Sequence, residues 1–469
     1  MKRPELVRGL GLGATTALVI GPIIGTGIFL KTANMAQALG SPGLVLLAWV
    51  AAGLLSLAGA LSYGELGAML PMAGGEYVYL RAAYGELAAF AFGWMRMAIA
   101  SSGSIASSAA AFALFLSGFV RFDTVWAARD FRWLGQTVHW QIGSQQLAAV
   151  GVILFFTALN CLRAAFGGGV QAALSSAKVA AIGVIIVGVF LFAPDASWSH
   201  LRAPAGVTTG TLSAFGAAMI SALWAYDGWN NMPMAAGEVR DPGRNIPRAL
   251  ILGMAVVLSV YVLVNFAYCL ALPISQIAAC GSSLHASALP VGARAAQSFL
   301  PRYGAKFVAL AALLSTAGGI HASILTSARV PYAMARDGLF FSRFATLGEK
   351  SATPIVSIIF TGGWAAVLAL SATFDQLTDS VIFAEMIFYA ATTAGVFVLR
   401  RKAPQAPRPY RTLGYPIIPG LFVIVALWLL VNTVATSRLL SLVGLALIAA
   451  GLPLYILMRR NCIRPAARA

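Results

Sequence analysis

The chain has 469 residues, of which 59% are hydrophobic and only 10% are charged. Soluble proteins carry about 25% charged residues, so this chain has too few charges to cover a water-facing surface. The net charge of +17 would suit a nucleic-acid-binding protein, but no basic run is interleaved with aromatic residues, and an excess of Lys and Arg in cytoplasmic loops explains the charge without nucleic acid.

Apolar segments recur along the whole chain, and each is long enough to cross a hydrocarbon core of roughly 30 Å as a helix. The alternating strands of a membrane barrel are not seen, so the sequence predicts an all-α polytopic membrane protein with about twelve transmembrane helices. The predicted helices are 11–33, 43–68, 85–117, 145–163, 170–193, 210–236, 247–272, 304–330, 354–371, 378–400, 415–435 and 438–458.

The loops between these helices differ in charge. On one side of the membrane the loops and termini contain 21 of the 32 Lys and Arg residues, and on the other side they contain nine. The remaining two, Arg96 and Lys178, lie inside predicted spans. The positive-inside rule then places both termini and the connector 401–413 in the cytoplasm of a protein of the cell inner membrane. The longest external loops are 118–144 and 273–303. The first apolar run is longer than the apolar core of a secretory signal, so a retained first helix is expected.

The chain offers no sequence signature of a metal or disulfide framework. Its cysteines have neither CxxC nor Cys/His metal spacing; they are Cys161, Cys269, Cys280 and Cys462. We therefore expect no metal, no cofactor and no structural disulfide.

The first predicted helix is interrupted by Gly21, Pro22, Gly25 and Gly27. Gly and Pro lower helix stability at this depth. Irregular backbone inside a membrane is tolerated only where it is buried in protein or lines a cavity. Spacing alone leaves two interpretations open, a break that forms a binding site and a packing site of small residues between helices.

The sixth predicted helix carries polar residues in its middle, in the run Trp224-Ala225-Tyr226-Asp227-Gly228-Trp229-Asn230-Asn231. Such groups are costly in an apolar span and indicate function. Because this helix follows the first by five, two interrupted helices at matching positions predict an inverted-repeat transporter. Amides at a new helix start bind an anion and freed carbonyls accept from an ammonium, so a zwitterionic α-amino acid fits both.

Other titratable side chains lie inside apolar segments. Lys178 is either a fixed cation that faces the broken first helix or a lysine that extends to the cytoplasmic surface. Arg96 is interpreted as a structural or surface-reaching cation, and His321 as a core histidine bonded to backbone. Glu385 is either a proton-coupling group or a bonded core carboxyl, and the sequence leaves that choice open.

These residues carry a resemblance to a known family. The chain resembles the amino acid–polyamine–organocation superfamily, and within it the L-type amino-acid transporters and their bacterial relatives. The similarity covers essentially the whole chain. The matching stretches are Gly21–Phe29, Tyr63–Gly67 with Pro71, Gly74–Tyr77, Trp224–Asn230, Glu238–Arg248, Ser327–Arg329 and Ala335–Gly338.

The resemblance implies the LeuT-type fold, in which two inverted repeats of five helices are followed by two peripheral helices. The repeats would span 11–193 and 210–400, and the peripheral helices 415–458. The activity implied is sodium-independent exchange of amino acids by alternating access. Eukaryotic members join a heavy chain through an external cysteine after the third helix, and because 118–144 holds no Cys, no disulfide-linked heavy chain is expected.

The resemblance also implies a substrate site. The substrate carboxylate would bind the backbone of Gly25, Thr26 and Gly27, and its ammonium the carbonyls near Ile23, Trp224 and Ala225. Trp224 would form an aromatic gate over the site, and Lys178 would stand in for a sodium ion. Asp227 and Asn230 complete the substrate-binding candidates. Asp227 replaces a small residue of several neutral-selective members, which leaves neutral against cationic specificity open.

The leading hypothesis is an amino-acid exchanger whose partners are its substrate and membrane lipids. Proton-coupled uptake of amino acids or polyamines is the alternative. A channel is disfavoured because broken helices that meet at one midplane site suit alternating access. An intramembrane enzyme is a remote alternative, since neither an HExxH motif nor a nucleophile with a base is visible.

Overall fold

The computed structural model describes residues 8–72, 74–122, 124–133, 136–162, 168–202, 211–282, 288–348, 353–371 and 373–462. A π-helical turn, Arg96–Ala100, joins α5 to α6, and a 3-10 segment, Trp229–Glu238, follows α9. The α-helices are α1 (Leu12–Ile23), α2 (Gly27–Leu39), α3 (Pro42–Met69), α4 (Glu76–Tyr84), α5 (Glu86–Met95), α6 (Ser101–Leu116), α7 (Ser144–Cys161), α8 (Gly168–Phe192), α9 (Leu212–Tyr226), α10 (Pro242–Ala271), α11 (Ile274–Ala278), α12 (Val291–Gln297), α13 (Gly304–Ser327), α14 (Arg329–Arg336), α15 (Ile355–Ser371), α16 (Phe374–Lys402), α17 (Ile417–Thr436), α18 (Arg438–Ala449) and α19 (Gly451–Cys462).

Within the described residues, helix occupies most of every predicted span, and the first and sixth spans are each interrupted by a break. Within the described ranges, eight helical segments are long and apolar enough to cross a membrane, and α1 with α2 forms a further span that is bent by 47°. Two shorter apolar helices are Ala177–Phe192, within α8, and α15. The prediction of a polytopic helical membrane protein is therefore confirmed.

Local signals place several helix ends. The Thr211 hydroxyl accepts a hydrogen bond from the Ala214 amide at 3.2 Å and so caps the start of α9. Pro42 stands in the first turn of α3, where its lack of an amide hydrogen breaks no helical hydrogen bond. Gly40, at a left-handed φ of 62°, ends α2. This helix runs past its predicted end at 33, and Lys31, which the charge count assigned to the external side, lies buried within it.

The chain forms two compact units. The first comprises Met1–Phe92, Ala196–Ala279 and Met386–Asn432, and the second comprises Gly93–Asp195, Cys280–Glu385 and Thr433–Ala469. Each unit takes segments from both halves of the sequence. The predicted repeats divide the chain in a different way and stay a prediction.

The predicted external loop 118–144 contains a β-hairpin that the sequence analysis missed. Its strands, β1 (Val125–Trp133) and β2 (Gln136–Gly143), pair antiparallel, with Arg129 opposite Trp140. The Trp140 indole donates to the carbonyl of Leu370 in α15 at 3.0 Å. The strands are short and mix polar with apolar residues, so they leave no signal in windows the length of a span.

The connector that follows α16 packs closely within the first unit. Arg400 donates to both carboxylate oxygens of Glu65 at 2.9 and 2.7 Å, and Thr412 donates from its amide and its hydroxyl at 2.7 and 2.8 Å. Arg408 Nε lies 3.4 Å from the same carboxylate, while its Nη2 bonds carbonyls near the end of α16. We call Glu65, Arg400, Arg408 and Thr412 the connector clasp.

Candidate functional site

The first predicted interruption is a true helix break. α1 ends at Ile23, Ile24 is extended with ψ of 94°, and α2 begins at Gly27. A break leaves carbonyls at the end of one helix and amides at the start of the next without partners in their own helix. Both kinds of group therefore lie within a few residues of Gly25.

The second predicted interruption is also a break. α9 ends at Tyr226, and Asp227 is extended. Gly228 has a φ of 116°, a backbone conformation that residues with a side chain rarely adopt. The chain continues as the 3-10 segment Trp229–Glu238. Gly228 is thus required by its backbone conformation.

The two breaks lie against each other within the first unit. A Cβ added to Gly228 would lie 3.0 Å from Cβ of Pro22, and one added to Gly27 would lie 2.8 Å from Cβ of Ala225. A Cβ on Gly25 would instead meet only the Ile23 carbonyl, at 3.7 Å. Gly27 therefore packs closely, as the packing interpretation predicts, whereas the space at Gly25 is open and its role as a binding site stays a prediction.

Tyr261 of α10 bridges the two breaks. Its hydroxyl lies 2.8 Å from the carbonyl oxygen of Ile23 and 3.0 Å from that of Ala225, and its single hydrogen is shared between these two acceptors. Each carbonyl has a second lone pair that can accept from another donor. The sequence analysis missed this residue, because a Tyr in an apolar helix carries no signal of such a role.

Asp227 faces α16. The Tyr389 hydroxyl donates to its carboxylate at 2.6 Å. Tyr389 is buried and Asp227 is half-buried. The carboxylate therefore lies at the second break with its orientation fixed by a tyrosine from another helix, and Tyr389 is a second residue that the sequence did not single out.

Asn230 lies away from solvent in a fully buried polar cluster. Its amide donates to Glu76 Oε2 at 3.1 Å, and the Tyr63 hydroxyl donates to Glu76 Oε1. Glu76 opens α4, where the helix dipole favours a negative charge. The neighbouring Trp229 packs on Tyr63, with ring centroids 4.6 Å apart. This cluster holds the 3-10 segment in place.

The remaining candidates have the following places. Ile23, Thr26 and Ala225 are buried at the breaks, and Trp224 is half-buried at the end of α9. Lys178 is buried in α8 and belongs to the second unit, as do Arg96, Glu385 and His321. Arg96 donates to Glu385 at 2.6 Å within that unit, which makes the two a buried ion pair.

Comparison with known proteins then decides the family. The family model described as amino acid permease matches residues 10–457. The chain belongs to the amino acid permease family. Its transporter character is thereby confirmed over that of an enzyme, and membrane location follows from the family and the fold.

Curated relatives of this amino acid permease match over nearly its whole length. The serine/threonine exchanger SteT of Bacillus subtilis (strain 168) is 28% identical, over 97% of this chain and 98% of its own. The large neutral amino acids transporter small subunit 2 of Mus musculus is 30% identical, over 96% of this chain and 81% of its own. The b(0,+)-type amino acid transporter 1 of Mus musculus is 28% identical, over 93% and 85%.

Proposed function

We propose that this permease is a sodium-independent amino-acid exchanger that works by alternating access in the cell inner membrane, with both termini in the cytoplasm. The observation that carries the proposal is the contact of the two helix breaks. They bring α2 amides and the carbonyls of Ile23 and Ala225 to one place inside the first unit. Exchange as an activity also appears in the name of the Bacillus relative.

The backbone at the breaks suits the two charges of an α-amino acid. The amides of Gly25 and Thr26, just before α2, and of Gly27, its first residue, would bind the carboxylate, because they have no acceptor within the helix and the helix dipole favours an anion there. The carbonyls of Ile23 and Ala225 would accept from the ammonium beside the Tyr261 hydroxyl. Trp224, half-buried at the end of α9, would close over the bound substrate.

Asp227 would lie at the side-chain end of the substrate. A carboxylate can accept about four hydrogen bonds, and the Tyr389 hydroxyl uses one of these positions on Asp227. We therefore assign this permease substrates whose side chains carry a hydrogen-bond donor, either a hydroxyl or a cation. The role of Asn230 would be to position the 3-10 segment through Glu76.

Lys178 would take the place of the sodium ion of coupled relatives. An ammonium has three donors and can bond carbonyls that a helix break sets free. Because it is covalently attached, it cannot leave with the substrate. The empty transporter would then reorient slowly and the loaded one quickly, which is the kinetic signature of exchange.

Counterflow tests the proposal. Liposomes containing the purified protein are preloaded with one unlabelled amino acid and then given a panel of labelled amino acids and polyamines. We expect uptake that depends on internal amino acid and proceeds without sodium. Uptake that ignores internal substrate and follows an imposed pH gradient would replace the proposal with proton-coupled symport.

A further inference from the structure

An apolar groove of about 670 Å³ lies in the second unit, outside the site at the helix breaks. It is formed by the C-terminal half of α8 and by the two residues that follow Ser298. The lining residues are Ala180, Gly183, Val184, Val187, Gly188, Phe192, Phe299 and Leu300.

Two glycines shape the groove. A Cβ added to Gly188 would overlap the Phe299 ring, so the ring packs directly on the helix backbone at that point. A Cβ added to Gly183 would have no atom within 4 Å, so the groove is open there. Val184 and Val187 are 42% and 50% exposed and form part of its wall.

The groove belongs to the membrane-facing part of the protein. It follows the apolar helix Ala177–Phe192, and every side chain that lines it is a hydrocarbon. Ordered water needs two to four polar partners, which such a lining does not provide. A hydrocarbon chain is the occupant that suits a concave apolar surface at membrane depth, and 670 Å³ lies in the usual range of ligand sites.

Basic residues follow Leu300, which lines this groove, within six positions along the chain. The Leu300 carbonyl accepts from the amides of Tyr303 and Gly304, at 3.3 and 2.7 Å, so a tight turn carries Arg302 next to the groove wall. Arg302 lies over the Tyr303 ring, 5.5 Å from its centroid, and Lys306 follows in the first turn of α13. Arg302, Tyr303 and Lys306 are all exposed. An exposed Tyr at the end of a span is typical of the headgroup level, and the positive charges of Arg302 and Lys306 can pair with an anionic headgroup there.

We propose that the groove binds one acyl chain of an anionic phospholipid, whose headgroup pairs with Arg302 and Lys306. The charge of the turn complements an anionic headgroup, and the groove beside it accepts the chain. The site requires no contact with the helix breaks, so it is independent of the proposed transport activity.

Native mass spectrometry of the purified full chain tests the site. The protein in detergent is given equimolar phosphatidylglycerol and phosphatidylethanolamine with identical acyl chains, and the retained lipids are counted. We expect wild type to retain phosphatidylglycerol in preference. Gly183→Leu fills the open part of the groove and should lower the retention of phosphatidylglycerol roughly tenfold. This is the loss expected when about two methylene groups of the acyl chain are no longer buried.

The matched control is Gly151→Leu on α7, where an added Cβ likewise meets nothing within 4 Å. It makes the same substitution on an exposed helix face away from the groove and should leave retention unchanged. The double variant Arg302→Gln with Lys306→Gln should keep lipid but lose the preference for phosphatidylglycerol.

Three results would overturn the proposal. Equal retention by wild type and Gly183→Leu would remove the groove as the site, and equal losses from both Gly→Leu variants would show a general effect of bulk. A change of oligomeric state in Gly183→Leu with lipid retention intact would assign the groove to a second copy of the chain.

Discussion

The connector clasp gives the sharpest test of the packing described above. Glu65 is 1% exposed and accepts four hydrogen bonds from Arg400 and Thr412, with Arg408 at ion-pair distance. Glu65→Gln keeps the shape of the side chain but removes the charge. Breaking a buried ion pair costs about 3–5 kcal/mol, because the remaining charge is left without compensation. Since Arg400 is 22% exposed, water recovers part of this loss, and we expect the free energy of unfolding to fall by about 3 kcal/mol.

Equilibrium unfolding in mixed micelles measures this change. The control is Glu86→Gln, which breaks the Arg81–Glu86 pair, whose side chains are 47% and 52% exposed. Surface pairs contribute about 0–1 kcal/mol, so this variant should unfold almost as wild type does. If Glu65→Gln lost no more stability than Glu86→Gln, the clasp would not be a buried ion-pair network and the reasoning would fail.

Four further predictions concern the transport site and the topology. Asp227→Asn should weaken substrates with cationic or hydroxyl side chains by about 1–3 kcal/mol and spare aliphatic ones, measured by competition in liposomes; equal losses would make Asp227 a structural residue. Tyr261→Phe should lower the free energy of unfolding by about 1–3 kcal/mol. Its control is Tyr268→Phe, because the Tyr268 hydroxyl has no hydrogen-bond partner among the described residues, and equal effects would contradict the bridge. Lys178→Ala should slow exchange about tenfold with the substrate range unchanged, since an unsatisfied buried carbonyl costs about 1–3 kcal/mol. Normal exchange rates in that variant, or an absolute need for sodium in wild type, would rule out the cation role. The cysteine in Gln405→Cys, at an exposed position of the connector, should react with an impermeant reagent only after the membrane is permeabilised. Labelling in intact cells would contradict the proposed cytoplasmic location of the connector.

The helices and the two breaks were predictable because their causes are local. Long apolar runs determine the spans, and Gly, Pro and Asp within such a run are costly enough to mark an interruption. Each of these signals lies within about twenty consecutive residues, so it can be recognised in the sequence alone.

The pairings between distant residues were not predictable. Tyr261 bridges Ile23 and Ala225, and Tyr389 lies 162 residues from Asp227 in the sequence. Such contacts depend on how helices pack, and a buried Tyr looks the same in sequence whether or not its hydroxyl is used. The hairpin was missed for a different reason, since β1 and β2 together are shorter than one span.

The docked connector also governs where this permease tolerates shortening. A version that consists of the two predicted repeats alone, without the two peripheral helices, would end after α16. Such a cut removes Arg408 and Thr412 and leaves the Glu65 carboxylate with Arg400 alone. α17 also belongs to the first unit, where Asn432 donates to the Ser213 carbonyl at 3.1 Å next to the start of α9. A shortened version should therefore retain all of α17, so that the part that can be removed begins no earlier than α18.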